Sequence, residues 1–395
     1  MPSAYRPVAA LLVSVFVLLT GHGLLTTIVP LGARAHGASE VEVGLLGSAY
    51  FLGMMLGAVA NPGAVRHAGH ARAYTASIAI GIVATLGFAV FHEIGAWILF
   101  RGVLGFCLAG VYATVESWLQ GKSDNAVRGR VISVYSVIQY AGWAAGNQLL
   151  RLDEPTGFTL FAAAAALLAA SILPLALTEQ DPPERPASPS LPVRWLWRTS
   201  PVAIVGVFLI GACNGPFWSL SAVYAAEIGL STAQVGTYMT LLTAGCAALQ
   251  IPVGRLSDRI DRRRVLLGLI GACVLFEVLI GLLGARLPHP VLYALGFALG
   301  SVLATQYYVL ASHVNDRTGR ENAVGVAAVL LLVYCLGAIA GPVSAAALMA
   351  RAGPSLLYLH NAALHALFGG YVLWRMLAAG APERAAAAAP IRPAA

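Results

Sequence analysis

Three ionisable residues stand in otherwise apolar stretches of this chain where they could handle a proton: His22, Arg101 and Glu116. A charge at the centre of a membrane span costs about 2.5 to 3.5 kcal/mol on insertion scales, so each retained one invites a functional reading. His22 sits between Gly21 and Gly23, which let a ligand or another helix come close. An imidazole can titrate near neutral pH, and His22 reads either as a proton handler or as a hydrogen-bonder in packing. Arg101 lies about six residues inside its span, roughly 9 Å at 1.5 Å per residue. It reads as a coupling residue or as one that snorkels to the interface. Glu116 follows fifteen residues later, which rotates it about 1,500° and raises it about 22 Å, leaving it about 60° from the Arg101 face. Both can therefore face one cavity, and that separation excludes a direct salt bridge. Glu116 reads as the protonatable group or as a structural carboxylate that holds Arg128 or Arg130 at a gate.

Other chemistry is poorly served. The five cysteines, Cys107, Cys213, Cys246, Cys273 and Cys335, show no paired or metal-ligand spacing. No H-E-x-x-H, paired aspartates or Cys/His cluster points to an embedded enzyme. No G-x-x-x-x-G-K-[ST] loop offers ATP as the direct energy source. Neither a metal nor a cofactor is expected. Asn214-Gly215-Pro216 would break helical hydrogen bonding within its span and free backbone groups for solute or water, or form a simple kink.

The elements that must position these residues are membrane helices. With 58% hydrophobic and 10% charged residues and a mean hydropathy of +0.77, the chain has too little polar surface to cover a water-soluble globule. At roughly 20 apolar residues per span, 395 residues make room for about a dozen helices and no separate soluble domain. Apolar runs predict spans at Val8–Pro30, Glu42–Val65, Ala73–Phe91, Gly95–Leu119, Val131–Leu150 and Thr156–Leu177. A second six follow at Val202–Ile228, Ala233–Gly254, Val265–Gly284, Pro290–Ser312, Ala323–Met349 and Ser355–Leu377. The expected organisation is a six-helix bundle over 1–177, an extended proline-rich linker over 178–200, a second bundle over 201–379 and a disordered Ala/Pro tail over 380–395. The apolar N-terminal segment is too long for a signal-peptide core and is read as retained.

An internal repeat supports two related halves. Gly44 to Arg72 and Gly236 to Arg264 are both apolar spans that break into a basic turn, each entered by Glu-Val or Gln-Val, at a constant offset of 192 residues. Two such halves facing each other enclose a pathway. All but five of the 24 Lys and Arg residues fall on one side if both termini are cytoplasmic; the exceptions are Arg34, Arg101, Arg151, Arg286 and Arg351. That asymmetry accounts for the net charge of +7 and leaves no basic patch for nucleic acid.

In the second half, Gly254-Arg255-Leu256-Ser257-Asp258-Arg259-Ile260-Asp261-Arg262-Arg263-Arg264 resembles the G-x-L-x-D-R-x-G-R-R-R loop of the major facilitator superfamily. It departs at Asp261, where the family has glycine. The first copy departs further, with Pro62 and Arg66 at the glycine and aspartate positions, and keeps Gly69, His70 and Arg72. Arg101-Gly102-Val103-Leu104-Gly105 is similar to the superfamily's R-x-x-x-G element, associated with proton-coupled members. Glu116-Ser117-Trp118-Leu119 with Arg128-Gly129-Arg130 resembles the YcaD-like branch. Gly142, Gly146 and Asn147-Gln148 stand where drug/proton antiporters show Gly-Pro, a pair found here at Gly341-Pro342.

The resemblance implies an all-α membrane protein of twelve transmembrane helices in two pseudo-symmetric six-helix bundles. It implies a monomeric secondary transporter of a small organic solute in the inner membrane, with protons as the default coupling partner. A non-transporting sensor or lipid-handling protein on the same fold is the alternative. It also implies that spans one, four, seven and ten line the cavity. That ranks His22, Arg101 and Glu116 for coupling and Tyr112, Asn214, Trp218, Gln306 and Tyr307 for the solute, and it demotes Glu277, His360 and His365. Cytoplasmic gating falls to Gly254, Asp258, Arg259, Arg262, Arg263, Gly69, Arg72, Arg128 and Arg130.

Overall fold

A computed structural model describes residues 9–122, 128–177, 193–319 and 322–378. The first half contains α1 (Ala9–Ala35), α2 (Glu40–Ala68), α3 (His70–Val90), α4 (Ile94–Lys122), α5 (Arg128–Gln148) and α6 (Phe158–Ala176). The second contains α7 (Pro201–Glu227), α8 (Thr232–Ser257), α9 (Arg262–Leu283), α10 (His289–Thr318), α11 (Ala323–Ala352) and α12 (Leu356–Ala378). Eleven of these described helices are long and apolar enough to cross a membrane. The exception is α5, which carries Gln139, Asn147 and Gln148 among its apolar residues.

The two halves repeat one packing plan. α1 lies on α5, α2 on α4 and α3 on α6; α7 lies on α11, α8 on α10 and α9 on α12 in the same way. In lipid no hydrophobic force drives helices together, so close backbone approach at small residues does the work. A Cβ at Gly105 of α4 would collide with the Tyr50 carbonyl of α2, and one at Gly300 of α10 with the Leu242 carbonyl of α8. Gly146 of α5 sits likewise on the Thr20 carbonyl of α1, and Gly341 of α11 on the Ala212 carbonyl of α7. Tyr50 and Leu242, like Thr20 and Ala212, are 192 residues apart. The sequence repeat is thus a repeat of helix crossings.

The repeated Glu/Gln-Val entry has a local cause. Ser39 Oγ accepts from the Glu42 N–H at 3.3 Å while the Glu42 carboxylate accepts from the Ser39 N–H at 2.8 Å. Ser231 and Gln234 make the same reciprocal pair at 3.4 and 2.9 Å. These capping boxes satisfy orphan amides and start α2 and α8 at equivalent points. Two residues further on, Gly44 meets Pro342 and Ala346 of α11, and Gly236 meets the Asn147 carbonyl of α5. The halves therefore touch along α2–α11 and α5–α8, which are related by the repeat.

One expectation is corrected, and one open alternative is decided. Within the linker, residues 178–192 lie outside the described part, and Val193–Thr199 form a helix instead of an extended tether, because Trp195 and Leu196 pack against the helical core. Of the two readings open at Asn214-Gly215-Pro216, the helix shows no break, although Pro216 has no N–H to donate to the Ala212 carbonyl. α7 runs unbroken through Pro216, and the motif serves close packing: a Cβ on Gly215 would lie 2.7 Å from the Ala338 carbonyl of α11.

Candidate functional site

A cavity of about 420 Å³ lies between the halves. His22 of α1, Arg101, Tyr112 and Glu116 of α4, and Trp218 of α7 line it. Its aromatic wall comes from Tyr50, Phe51, Tyr140, Trp143, Tyr308 and Tyr334 on α2, α5, α10 and α11. An adjoining space of about 280 Å³ shares Trp143 and Trp218 and adds Asn214 and Tyr307. Trp143 and Trp218 meet edge to face across the halves, with ring centroids 4.7 Å apart. The wall residues on α2, α5 and α11 escaped sequence reasoning because it ranked only four spans. Aromatics flanked by glycine, as in Gly142-Trp143, were the available signal.

Arg101 and His22 meet at Tyr50. The Arg101 guanidinium lies 4.6 Å from the Tyr50 ring centroid, a cation–π contact. The His22 ring stacks on Tyr50 at 5.7 Å. Trp143 Nε1–H donates to His22 Nδ1 at 2.9 Å. An indole can only donate, so Nδ1 is the acceptor and the imidazole proton sits on Nε2. That Nε2 and Arg101 Nη1 are both buried without a hydrogen-bond partner. Arg101 is 4% and His22 2% exposed, and no described carboxylate pairs with either. Glu116, fifteen residues along α4, is exposed to the cavity and makes no described ion pair. The side chains of Arg128 and Arg130, its alternative partners, lie outside the described part.

Gln306 is a correction. It does not line the cavity but is fully buried inside the second half. Its Nε2 lies 2.9 Å from Cys273 Sγ and 3.2 Å from His365 Nε2, and His365 Nδ1 lies 2.8 Å from Glu277 Oε2. This cluster ties α9, α10 and α12 together. A carboxylate retained in an apolar interior needs such a partner, and 88 residues separate Glu277 from His365, so spacing alone could not pair them.

The halves are joined at the face where α1 ends and α8 begins. Arg34 bonds Glu40 at 2.8 Å and Glu227, in the other half, at 2.9 Å. Around it Arg151 donates to Thr237 at 2.7 Å, Gln148 to Thr240 at 2.6 Å, and Ser48 to the Ile339 carbonyl at 2.6 Å. The opposite face differs. There Asp258 bonds Arg262 at 3.1 Å, Arg262 bonds Asp316 at 2.6 Å, and Arg263 bonds Asp261 at 3.0 Å, all within the second half. Asp261, the departure from the family glycine, caps α9 by accepting from the Arg263 N–H at 2.9 Å. Arg72 and Arg259 are exposed, Gly69 ends α2 with a φ of +81°, and a Cβ at Gly254 would meet open space. Among the described residues the halves are sealed at the Arg34 face and part towards the Asp258 face.

The chain matches the Major Facilitator Superfamily over residues 11–215 and 202–394. An uncharacterized MFS-type transporter of Yersinia pestis (strain Pestoides F) is 29% identical over 90% of this chain and 93% of its own. The uncharacterized MFS-type transporter YcaD of Escherichia fergusonii is 27% identical over 92% and 94%. The crystal structure of the nucleoside transporter NupG superposes with a TM-score of 0.79 at 14% identity, covering 93% of this chain and 98% of that one.

Proposed function

Because this chain belongs to the Major Facilitator Superfamily of transporters, we propose that it moves a small organic solute by alternating access, coupled to protons. The observation that carries this reading is the cavity between two repeat-related halves that are tied at the Arg34 face. Rocking the halves about this cavity, breaking the Arg34 contacts while forming new ones at the Asp258 face, would expose it to each side in turn.

Glu116 is the proposed proton carrier. Its carboxylate faces the cavity on the side where the halves part and has no described counter-ion holding it ionised. His22 suits the role less well, since a second ring proton would displace its bond from Trp143. With the termini and the Asp258 loop on the cytoplasmic side of the inner membrane, this conformation is inward-open.

The test is solute flux into sealed proteoliposomes, with an internal pH dye, using solutes first selected by their ability to raise the thermal stability of the purified protein. Solute movement accompanied by proton movement is expected. Flux without a pH change would remove proton coupling. Tight binders that never cross would favour the non-transporting sensor.

A further inference from the structure

The deep end of the cavity holds two buried hydrogen-bond donors and no described carboxylate to receive them. Arg101 reaches it from α4 and His22 from α1, and each contacts Tyr50. Their unpartnered atoms, Arg101 Nη1 and His22 Nε2, both donate. The Trp143 indole fixes this polarity at His22, because it occupies the one nitrogen that could accept. Burying a guanidinium out of water without a counter-charge is strongly unfavourable. Elsewhere the protein avoids that cost: Arg34, Arg262 and Arg263 all meet carboxylates. Arg101 is more deeply buried than these and meets no carboxylate among the described residues.

Resting on the transporter reading above, we propose that the solute is an organic monoanion. Its carboxylate, or an equivalent acidic group, accepts from Arg101 and His22 and supplies the missing counter-charge. Next to this head group the walls are aromatic, with Tyr112, Trp143, Trp218 and Tyr334. They suit a flat apolar or aromatic body, which stacks without needing further polar partners. The cavity volume of about 420 Å³ sets a small-molecule size. Glu116 stands fifteen residues away, about 22 Å along the helix axis, too far to pair with a second charge on so small a solute. It is left to the proton.

The test is equilibrium binding to purified protein, which needs no transport. The probes are 2-naphthoate, its neutral amide and 2-naphthylmethylamine, read by thermal shift and isothermal calorimetry. Naphthoate should bind, with the amide and amine at least tenfold weaker. Arg101→Gln should remove this preference and Arg101→Lys should keep part of it. Equal binding of all three probes, no binding of naphthoate, or an unchanged preference in Arg101→Gln would overturn the proposal while leaving solute flux to judge the transporter reading.

A second measurement separates solute binding from a structural role. Arg101→Met in the ligand-free protein should unfold at the same or a higher temperature, as expected when an unpaired buried charge is replaced by an apolar side chain. A clear fall in melting temperature would show that Arg101 holds the fold instead of the solute.

Discussion

Among the described residues the Arg34–Glu227 pair is the charge contact that spans the halves, and removing it should open the face it seals. The three side chains concerned, Arg34, Glu40 and Glu227, are 31%, 25% and 22% exposed. They stand between the surface regime, where a pair contributes about 0.2 to 1 kcal/mol, and the buried regime, where breaking one costs about 3 to 5 kcal/mol. Discounted for screening, the pair is worth about 1 to 2 kcal/mol, or roughly 5- to 30-fold in the ratio of sealed to open molecules. Glu227→Gln should produce this shift. Arg34→Gln should shift the ratio at least as far, because it also leaves the Glu40 and Glu227 carboxylates facing each other across the halves with no cation between them. Glu40→Gln should shift the ratio little, because Arg34–Glu40 lies within one half and survives in both conformations, and the Arg34→Gln/Glu227→Gln double variant should open the face no further than Glu227→Gln does. Spin labels at the exposed positions Glu93 and Ala233, in a cysteine-free background, would report the distance distribution across this face. A Glu40→Gln effect equal to that of Glu227→Gln, or additive effects of Arg34→Gln and Glu227→Gln, would refute the reasoning.

At the opposite face Asp258 is 68% exposed and its described ion pair lies within its own half, so Asp258→Asn should leave thermal stability nearly unchanged. It should still move molecules towards the open Asp258 face by weakening the other conformation, and interspin distances there that stay the same would show that the loop does not gate. Glu116→Gln should abolish solute movement driven by a pH gradient while exchange at equal pH continues; intact gradient-driven movement would end its role as proton carrier, and loss of both would make it a gate residue. Gly146→Val should lower the melting temperature by an amount equivalent to about 1 to 3 kcal/mol, because the α1–α5 crossing cannot admit the side chain. Gly254→Ala, in open space, should melt as the parent does in scanning fluorimetry. A single cysteine at Ala71 should resist an impermeant maleimide in intact cells while one at Ala233 reacts, and the reverse pattern would invert the proposed orientation.

The membrane class, the positions of the helices and the two-fold repeat were legible in the sequence because each is a local or periodic property. Hydropathy marks a span wherever it sits, and the 192-residue offset survives in Gly44 and Gly236 and in the carbonyls that the crossing glycines meet. His22, Arg101 and Glu116 were singled out for a similarly local reason, the cost of a polar group in an apolar run. What such runs lack is a polar stripe to say which way each helix faces. In a helix apolar all round, rotation and partners are set by backbone approach at small residues, and those contacts belong to two helices at once. Only the tertiary structure could therefore turn Gln306 away from the cavity and towards His365, or pair Glu277 with a histidine 88 residues distant. It alone joins Arg34 to Glu227 across the halves and aims the Trp143 N–H at His22 Nδ1. The ionisable groups were visible in the chain; their partners, and the lack of a described carboxylate beside Arg101, emerge when the helices pack.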